Sequence, residues 1–195
     1  MKLHRVIARA FGYELIKRRK HPSTDTHLAN MIRHHSIDLV LDVGANQGQF
    51  GHTLRREGYS GELHSFEPVS TAFEQLSEAS AGDDHWFAHQ MALGAAPGSA
   101  EVNVSDSSDL SSFLDASEFG RERYRKMASS RKETVQIDTL DRFLPEQVPD
   151  HAGRNILLKM DTQGFDLQVF AGAKRTRRHL RCMLSELSLL PIYQG

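Results

Sequence analysis

The sequence predicts an α/β fold, with a mainly parallel sheet covered by helices on both faces. Apolar segments of strand length alternate with amphipathic helical segments along the chain, which is the pattern of α/β proteins. The first of these strands runs directly into a glycine-containing loop, where parallel sheets commonly bind ligands. We therefore expect one α/β domain over residues 37–195, preceded by a helical segment over residues 1–36.

The composition of the chain excludes several functional classes. Its 195 residues are 39% hydrophobic and 25% charged, which is typical of a folded domain. The net charge of −1 gives no reason to expect a nucleic-acid partner. The single cysteine, Cys182, excludes an internal disulfide and favours a reducing, cytoplasmic location. No apolar run approaches the roughly 20 residues of a membrane-spanning helix.

The first 21 residues form a distinct basic segment, with seven Lys or Arg residues against the single acid Glu14. Apolar residues recur at helical spacing, which predicts an amphipathic helix. Arg5 and Arg9 interrupt the apolar core that a secretory signal needs. Two interpretations remain open: peripheral contact with anionic lipid at the inner face of the membrane, or with an acidic partner, and packing of the helix on its own domain.

The remaining elements follow from capping, turn and periodicity patterns. Ser23 predicts the N-cap of a short helix that ends near His35, and Gly58 predicts the end of a later one. Thr71 and Glu74 have the spacing of a capping box. We predict strands over residues 37–43, 62–67, 85–93, 100–104, 133–137, 155–161 and 181–187, further helices over residues 47–57, 118–127 and 165–180, one that carries Phe73 and Leu76, and a polar linker over residues 145–154.

The loop Asp42-Val-Gly-Ala-Asn-Gln-Gly48 follows the first predicted strand. Gly44 permits a sharp turn and close approach of a ligand to the backbone, and Gly48 begins the next helix. A dinucleotide fingerprint would need small residues where Asn46 and Gln49 stand, which argues against a nicotinamide-dependent oxidoreductase. Asp42 would repel a pyrophosphate and suits a ligand with positive charge.

Glu67 ends the second predicted strand, where a carboxylate can accept hydrogen bonds from both hydroxyls of a ribose. Together, Asp42 and Glu67 favour a cationic ligand that contains a ribose, as S-adenosylmethionine does.

Several segments together resemble FkbM-type methyltransferases. The resemblance covers about residues 38–195, and its paired D-V-G-A-N and K-x-D-x-x-G blocks are specific. Its segments are Leu41-Asp-Val-Gly-Ala-Asn-Gln-Gly48, Ser65-Phe-Glu-Pro68, Met91-Ala-Leu-Gly94, Leu158-Lys-Met-Asp-Thr-Gln-Gly-Phe-Asp166, Val169-Phe-Ala-Gly-Ala173 and Ser185-Glu-Leu-Ser188.

The resemblance implies a Rossmann-like class I methyltransferase fold that uses S-adenosylmethionine to methylate hydroxyls of sugars, glycolipids or polyketides. Relatives usually continue past the end of this sequence with an edge hairpin, so we expect that hairpin to be absent and the edge to be open or covered by a partner, a second copy included. A non-catalytic relative that binds cofactor, lipid or protein is the alternative function. The residues implied to hold the cofactor are Asp42, Gly44, Ala45, Asn46, Gly48, Glu67, Pro68, Met91 and Ala92.

Methylation of a hydroxyl needs a group that removes its proton. Asp161, at the end of its predicted strand, is the first candidate base, and Glu186 on the next strand is the second. The alternative for Asp161 is the N-cap of the following helix. Catechol-type relatives of this fold hold a metal at this strand end, which leaves a divalent cation open here as well. No adjacent second carboxylate supports it, and we assign no metal ligands.

Three further features are weaker candidates. The serine-rich loop over residues 105–112 has the position of a lid over the site, or of a solvated connector. His64 is the best placed of the histidines for a catalytic base, and we expect no histidine to bind metal. Arg121, Arg123, Arg125 and Lys126 indicate an exposed helix face rather than a phosphate clamp.

Overall fold

The computed structural model describes residues 7, 10–12, 23–105, 111–124, 130–186 and 188–194. Its helices are α1 (Thr24–His34), α2 (Gln49–Arg56), α3 (Ser70–Ser80), α4 (Glu118–Arg123), α5 (Leu140–Gln147) and α6 (Asp166–Ala171), with 3-10 turns at His151–Gly153 and Thr176–His179. Its strands are β1 (Leu39–Val43), β2 (Glu62–Phe66), β3 (Trp86–His89), β4 (Ala92–Leu93), β5 (Gly98–Ser105), β6 (Ser130–Asp138), β7 (Ile156–Met160) and β8 (Leu180–Ser185).

A five-stranded parallel sheet forms the centre of the protein, in the order β3-β2-β1-β7-β8. Every side chain of β1 and β7 is buried, as expected for central strands covered on both faces. Leu39 and Leu41 pack against residues of α5, whereas Val40 packs against residues of α1, α2 and α3. The predicted mainly parallel α/β fold is therefore confirmed.

A second sheet has the order β4-β6-β5. The prediction of one strand over residues 85–93 was wrong, because this segment divides into β3 of the first sheet and β4 of the second. The Met91 N–H donates to the His89 carbonyl, which turns the chain out of the first sheet after β3. β4 then pairs with β6 in parallel, and β5 pairs with β6 antiparallel. The two sheets therefore meet at Met91, on one side of the candidate site.

The start of α3 differs from the predicted capping box. The helix begins at Ser70, and the side chain of its N-cap residue, Val69, forms no capping hydrogen bond. Instead, the Glu133 carboxylate on β6 accepts hydrogen bonds from the Ser70 N–H and hydroxyl. A side chain distant in sequence thus replaces the local pair Thr71 and Glu74.

The predicted polar linker over residues 145–154 contains the end of α5 and a 3-10 turn. Pro145 lies inside α5, where it cannot donate to the carbonyl of Asp141. The Arg175 guanidinium donates to that carbonyl at 2.8 Å, so the helix tolerates the proline. The helix predicted over residues 165–180 is shorter than expected, because α6 ends at Ala171 and a 3-10 turn follows.

Three predicted features lie partly or mainly outside the described residues: the basic helix over residues 1–21, the middle of the serine-rich loop, and Arg125 and Lys126. Within the described part of the chain, no strand pairs with the outer edge of β8, and every helix is too short or too polar to cross a bilayer.

Replacement of Gly44 by alanine should destabilise the fold strongly. Gly44 has φ +75°, and an added Cβ would lie 2.0 Å from the backbone oxygen of Asp161, which cannot move aside. Strain and overpacking together predict a loss of about 2–5 kcal/mol in the free energy of unfolding, measured by urea denaturation. Gly58→Ala is the matched control, because Gly58 has φ +89° with open space around it. We expect strain alone there, about 1–2 kcal/mol, and equal losses would contradict the packing argument.

Candidate functional site

The carboxyl ends of β1, β2 and β7 surround a cavity, in the place where parallel sheets commonly bind ligands. We refer to it as the inner cavity. Its lining includes six of the nine residues predicted to hold the cofactor, Gly44, Asn46, Glu67, Pro68, Met91 and Ala92, together with Asp161. The remaining three, Asp42, Ala45 and Gly48, do not line it.

The glycine loop is built by backbone geometry rather than by side chains. The N–H groups of Gly44 and Ala45 both donate to the Phe66 carbonyl at 3.0 Å, which ties the loop to the end of β2. Gly48 is the N-cap of α2 with φ +86°, and an added Cβ would crowd the Trp86 ring at 3.1 Å. Gly48 therefore serves the packing of α2, which confirms its predicted place at the start of that helix.

Lys159 is a buried residue of the site whose role was not predicted from the sequence. Its Nζ donates to the Gly44 carbonyl at 2.9 Å, and lies 2.9 Å from the Asp42 carboxylate and 3.7 Å from that of Asp161. Burial opposes its charge, but the carboxylates of Asp42 and Asp161 outweigh burial and raise the pKa of Lys159. A lone lysine within an otherwise apolar strand is the sequence signal that identifies such a residue, because a buried charge needs a partner.

Asp42 is placed differently from the expected direct ligand contact. Its side chain is fully buried, it pairs with Lys159 on the neighbouring strand, and it accepts a hydrogen bond from the Ser65 hydroxyl at 3.3 Å. Its charge is therefore compensated within the protein. Asp161 is the carboxylate of this group that reaches the inner cavity.

Glu67 lines the inner cavity and connects two of its loops through hydrogen bonds. One carboxylate oxygen accepts from the Asn46 N–H and the other from the Val69 N–H, both at 2.9 Å. Burial raises the pKa of Glu67 to about 7, although both N–H donors favour the charged form. Among the described residues, none bonds to the buried side-chain oxygen of Asn46, which leaves an acceptor beside Glu67 for a ligand.

The opposite wall of the inner cavity is apolar. Met91 and Ala92 lie where the chain passes between the two sheets, and Val102 of β5 adds a side chain from the second sheet. Phe113 and Phe165, with ring centres 4.5 Å apart, complete the wall. The last three were not predicted, because they come from segments far apart in sequence that only the second sheet and the loop after β7 bring together.

An open groove adjoins the inner cavity and shares Asp161, Thr162 and Gln163 with it. We refer to it as the outer groove. Its polar side carries Glu186 and Asp166. Its apolar side consists of Leu167, Leu189, Leu190, Pro191 and Ile192, of which Leu189 is almost fully exposed. A molecule in the outer groove would meet one in the inner cavity at Asp161.

The alternative role of Asp161, as an N-cap, is excluded. Helix α6 begins at Asp166 with Phe165 as its N-cap, and Asp161 instead accepts from the Gln163 side-chain amide at 2.9 Å. Glu186 is exposed, and the adjacent Asp161 carboxylate raises the pKa of Glu186. The structure therefore brings the two candidate bases together at the same place.

The weaker candidates are resolved in part. His64 lies outside the inner cavity, between Glu62 at 2.8 Å and His89 at 2.9 Å, and burial lowers its pKa. Ser111 and Ser112, the end of the serine-rich loop, line the inner cavity. Within the described part of the chain, no group of three or more His, Cys, Asp or Glu residues is arranged to hold a metal ion.

Comparison with known proteins gives a family. The model of the Methyltransferase FkbM domain matches residues 42–195. A search of curated proteins finds no match. Among solved structures, the chain is similar to Methyltransferase FkbM from Methylobacillus flagellatus KT, with 14% sequence identity and a TM-score of 0.44. The similarity covers 73% of this chain and 30% of that one.

Removal of the buried cation should cost more stability than removal of an exposed one. Lys159→Met leaves Asp42 buried without its partner, which predicts a loss of about 3–5 kcal/mol in the free energy of unfolding, measured by urea denaturation. In the double variant that also carries Asp42→Asn, the loss should be at least about 1 kcal/mol smaller than the sum of the losses of the two single variants, since the two residues interact directly. Lys132→Met, which breaks a well exposed pair with Glu101, is the control and should change little. If the stability losses of Lys159→Met and Asp42→Asn were strictly additive, the direct interaction of the two residues would be contradicted.

Proposed function

Because the chain belongs to the FkbM methyltransferase family, we propose that it transfers a methyl group from S-adenosylmethionine to a hydroxyl of a sugar, glycolipid or polyketide-like acceptor. The observation that carries this proposal is the junction of two sites at Asp161. The inner cavity has a carboxylate, Glu67, placed to accept from ribose hydroxyls, and an apolar wall, and the outer groove adjoins it at a candidate base. Methyl transfer requires this adjacency of donor and acceptor.

The residues of the inner cavity fit the cofactor. Each oxygen of Glu67 accepts one backbone N–H and keeps a lone pair, so the carboxylate can also accept from the two ribose hydroxyls. The unused side-chain oxygen of Asn46 lies beside it. Met91 and Ala92 supply a surface for the adenine. When bound, S-adenosylmethionine supplies an activated methyl group on a positively charged sulfur.

The charges at the end of β7 favour a cationic ligand. Lys159 compensates one of the two carboxylates that it contacts, Asp42 and Asp161. One negative charge therefore remains, and Asp161 carries it to the wall of the inner cavity. We therefore still propose that an acid faces the positive charge of the ligand, and assign this role to Asp161 instead of Asp42.

Asp161 also has the position of the general base. It lies where the inner cavity and the outer groove meet, so it can accept the proton of an acceptor hydroxyl as the oxygen–methyl bond forms. Glu186 is the second carboxylate at this junction. The polar side of the outer groove suits a hydroxylated group, and its leucine-rich side suits an attached apolar chain.

Asp161→Asn should slow methyl transfer, while S-adenosylhomocysteine, which lacks the sulfonium charge of the donor, should bind nearly as it does to the wild type. Loss of a general base predicts a decrease of about 10²–10⁴-fold in kcat. The measurement is transfer of labelled methyl to octyl glucoside and to glycolipid extracts, together with calorimetry of S-adenosylhomocysteine binding. Asp84→Asn, at an exposed position, is the matched control. Unchanged kcat in Asp161→Asn would remove its role as base, and an absence of S-adenosylhomocysteine binding at millimolar concentration would overturn the proposed function.

Affinity for S-adenosylhomocysteine should rise with pH around neutrality. The ionised form of Glu67 accepts all four hydrogen bonds, and the pKa of Glu67 is raised to about 7 without ligand, so binding should release a proton. Ligand dissociation constants should be about tenfold larger at pH 6 than at pH 8. Glu67→Gln should bind more weakly with little dependence on pH, whereas the exposed control Glu78→Gln should follow the wild type. A pH dependence that persists in Glu67→Gln would assign it to another group.

A further inference from the structure

Gln163 occupies an unusual position between the two sites. It lines both the inner cavity and the outer groove, and its backbone has φ +52°, in the left-handed region that non-glycine residues rarely adopt. Such a conformation is strained and persists where the surroundings hold it. The Ser112 hydroxyl, which donates to the Gln163 carbonyl at 2.7 Å, is one of those surroundings.

The side chain of Gln163 forms a chain of hydrogen bonds that ends at Asp161. Its amide nitrogen donates to Asp161 Oδ1 at 2.9 Å, and its amide oxygen accepts from the Tyr193 hydroxyl at 3.0 Å. A carboxylate only accepts hydrogen bonds, so the NH₂ group of Gln163 must face Asp161. Tyr193 then fixes the other end of the amide, which makes a reversed orientation unfavourable.

We propose that Gln163 is a positioning residue for methyl transfer, which holds the Asp161 carboxylate in one orientation at the junction of donor and acceptor. This inference rests on the proposed function, in which Asp161 is the base. Gln163 holds Oδ1, and Lys159 Nζ lies 3.7 Å from Oδ2, too far for a hydrogen bond, so Oδ2 is the oxygen left to take the acceptor proton. Tyr193, on the segment that walls the outer groove, supports Gln163 and so links the acceptor wall to the base.

The test uses substitutions that separate the side chain from the backbone strain. Gln163→Gly removes the amide but adopts φ +52° easily, so the loop keeps its path. Gln163→Asn keeps an amide and also tolerates a positive φ. Ser36→Gly is the matched control, because Ser36 has φ +48° and lines neither the inner cavity nor the outer groove. Tyr193→Phe removes only the hydroxyl that supports Gln163.

In Gln163→Gly we expect kcat to fall about 10–100-fold, as for a misplaced catalytic group, while the dissociation constant of S-adenosylhomocysteine stays within about threefold. Gln163→Asn should recover part of the loss, Tyr193→Phe should show a smaller loss, and Ser36→Gly should match the wild type. The labelled methyl transfer to octyl glucoside provides these values. Wild-type kcat in Gln163→Gly would overturn the proposal.

A second measurement is independent of turnover. Crystal structures of the wild type and of Gln163→Gly, each with S-adenosylhomocysteine, should show one Asp161 rotamer in the first and more than one, or a different one, in the second. An identical single rotamer in both would overturn the positioning role even if no acceptor reacts. Failure of the wild type to bind S-adenosylhomocysteine or to transfer methyl would instead count against the proposed function. Crystals of the two proteins without ligand would then decide whether Gln163 orients Asp161.

Discussion

The contact of Lys159 with Asp42 and with the Gly44 carbonyl joins two neighbouring strands at the point where both reach the site. A buried carboxylate at the end of β1 would be strongly unfavourable alone, and so would a buried ammonium on β7. Together they compensate each other and leave Asp161, which lines the cavity, as the second carboxylate beside Lys159. The glycine loop, the candidate base Asp161 and the charge of the site all depend on this contact.

The inner cavity owes its two kinds of wall to two different sheets. The parallel sheet supplies the polar part, where Glu67 receives two backbone N–H groups from the loops that follow β1 and β2. The second sheet and the segment before α4 supply apolar side chains such as Val102 and Phe113. A ligand with a polar ribose and a flat apolar base matches this division, which is why the geometry and the family membership support the same cofactor.

The sequence predicts the parts of the molecule that depend on local pattern. Strand and helix periodicity were sufficient for the parallel sheet, and the loop spacing located Gly44, Asn46 and Glu67 at the cavity. Features that depend on distant partners were not predicted. The strand over residues 85–93 divides because β6 offers β4 a partner, and Lys159 and Gln163 acquire their roles only from contacts made after folding.

The pairing of β1 with β7 also has a consequence for the order of folding. Asp42 and Lys159 are register partners although more than a hundred residues separate them in sequence. As the chain leaves the ribosome, β1, β2 and β3 can associate early, but the carboxylate of Asp42 has no cation until β7 is synthesised. Formation of contacts at this sequence separation is slow. The inner cavity and the centre of the sheet are therefore completed in the same late step, so an incompletely folded chain also lacks a formed inner cavity.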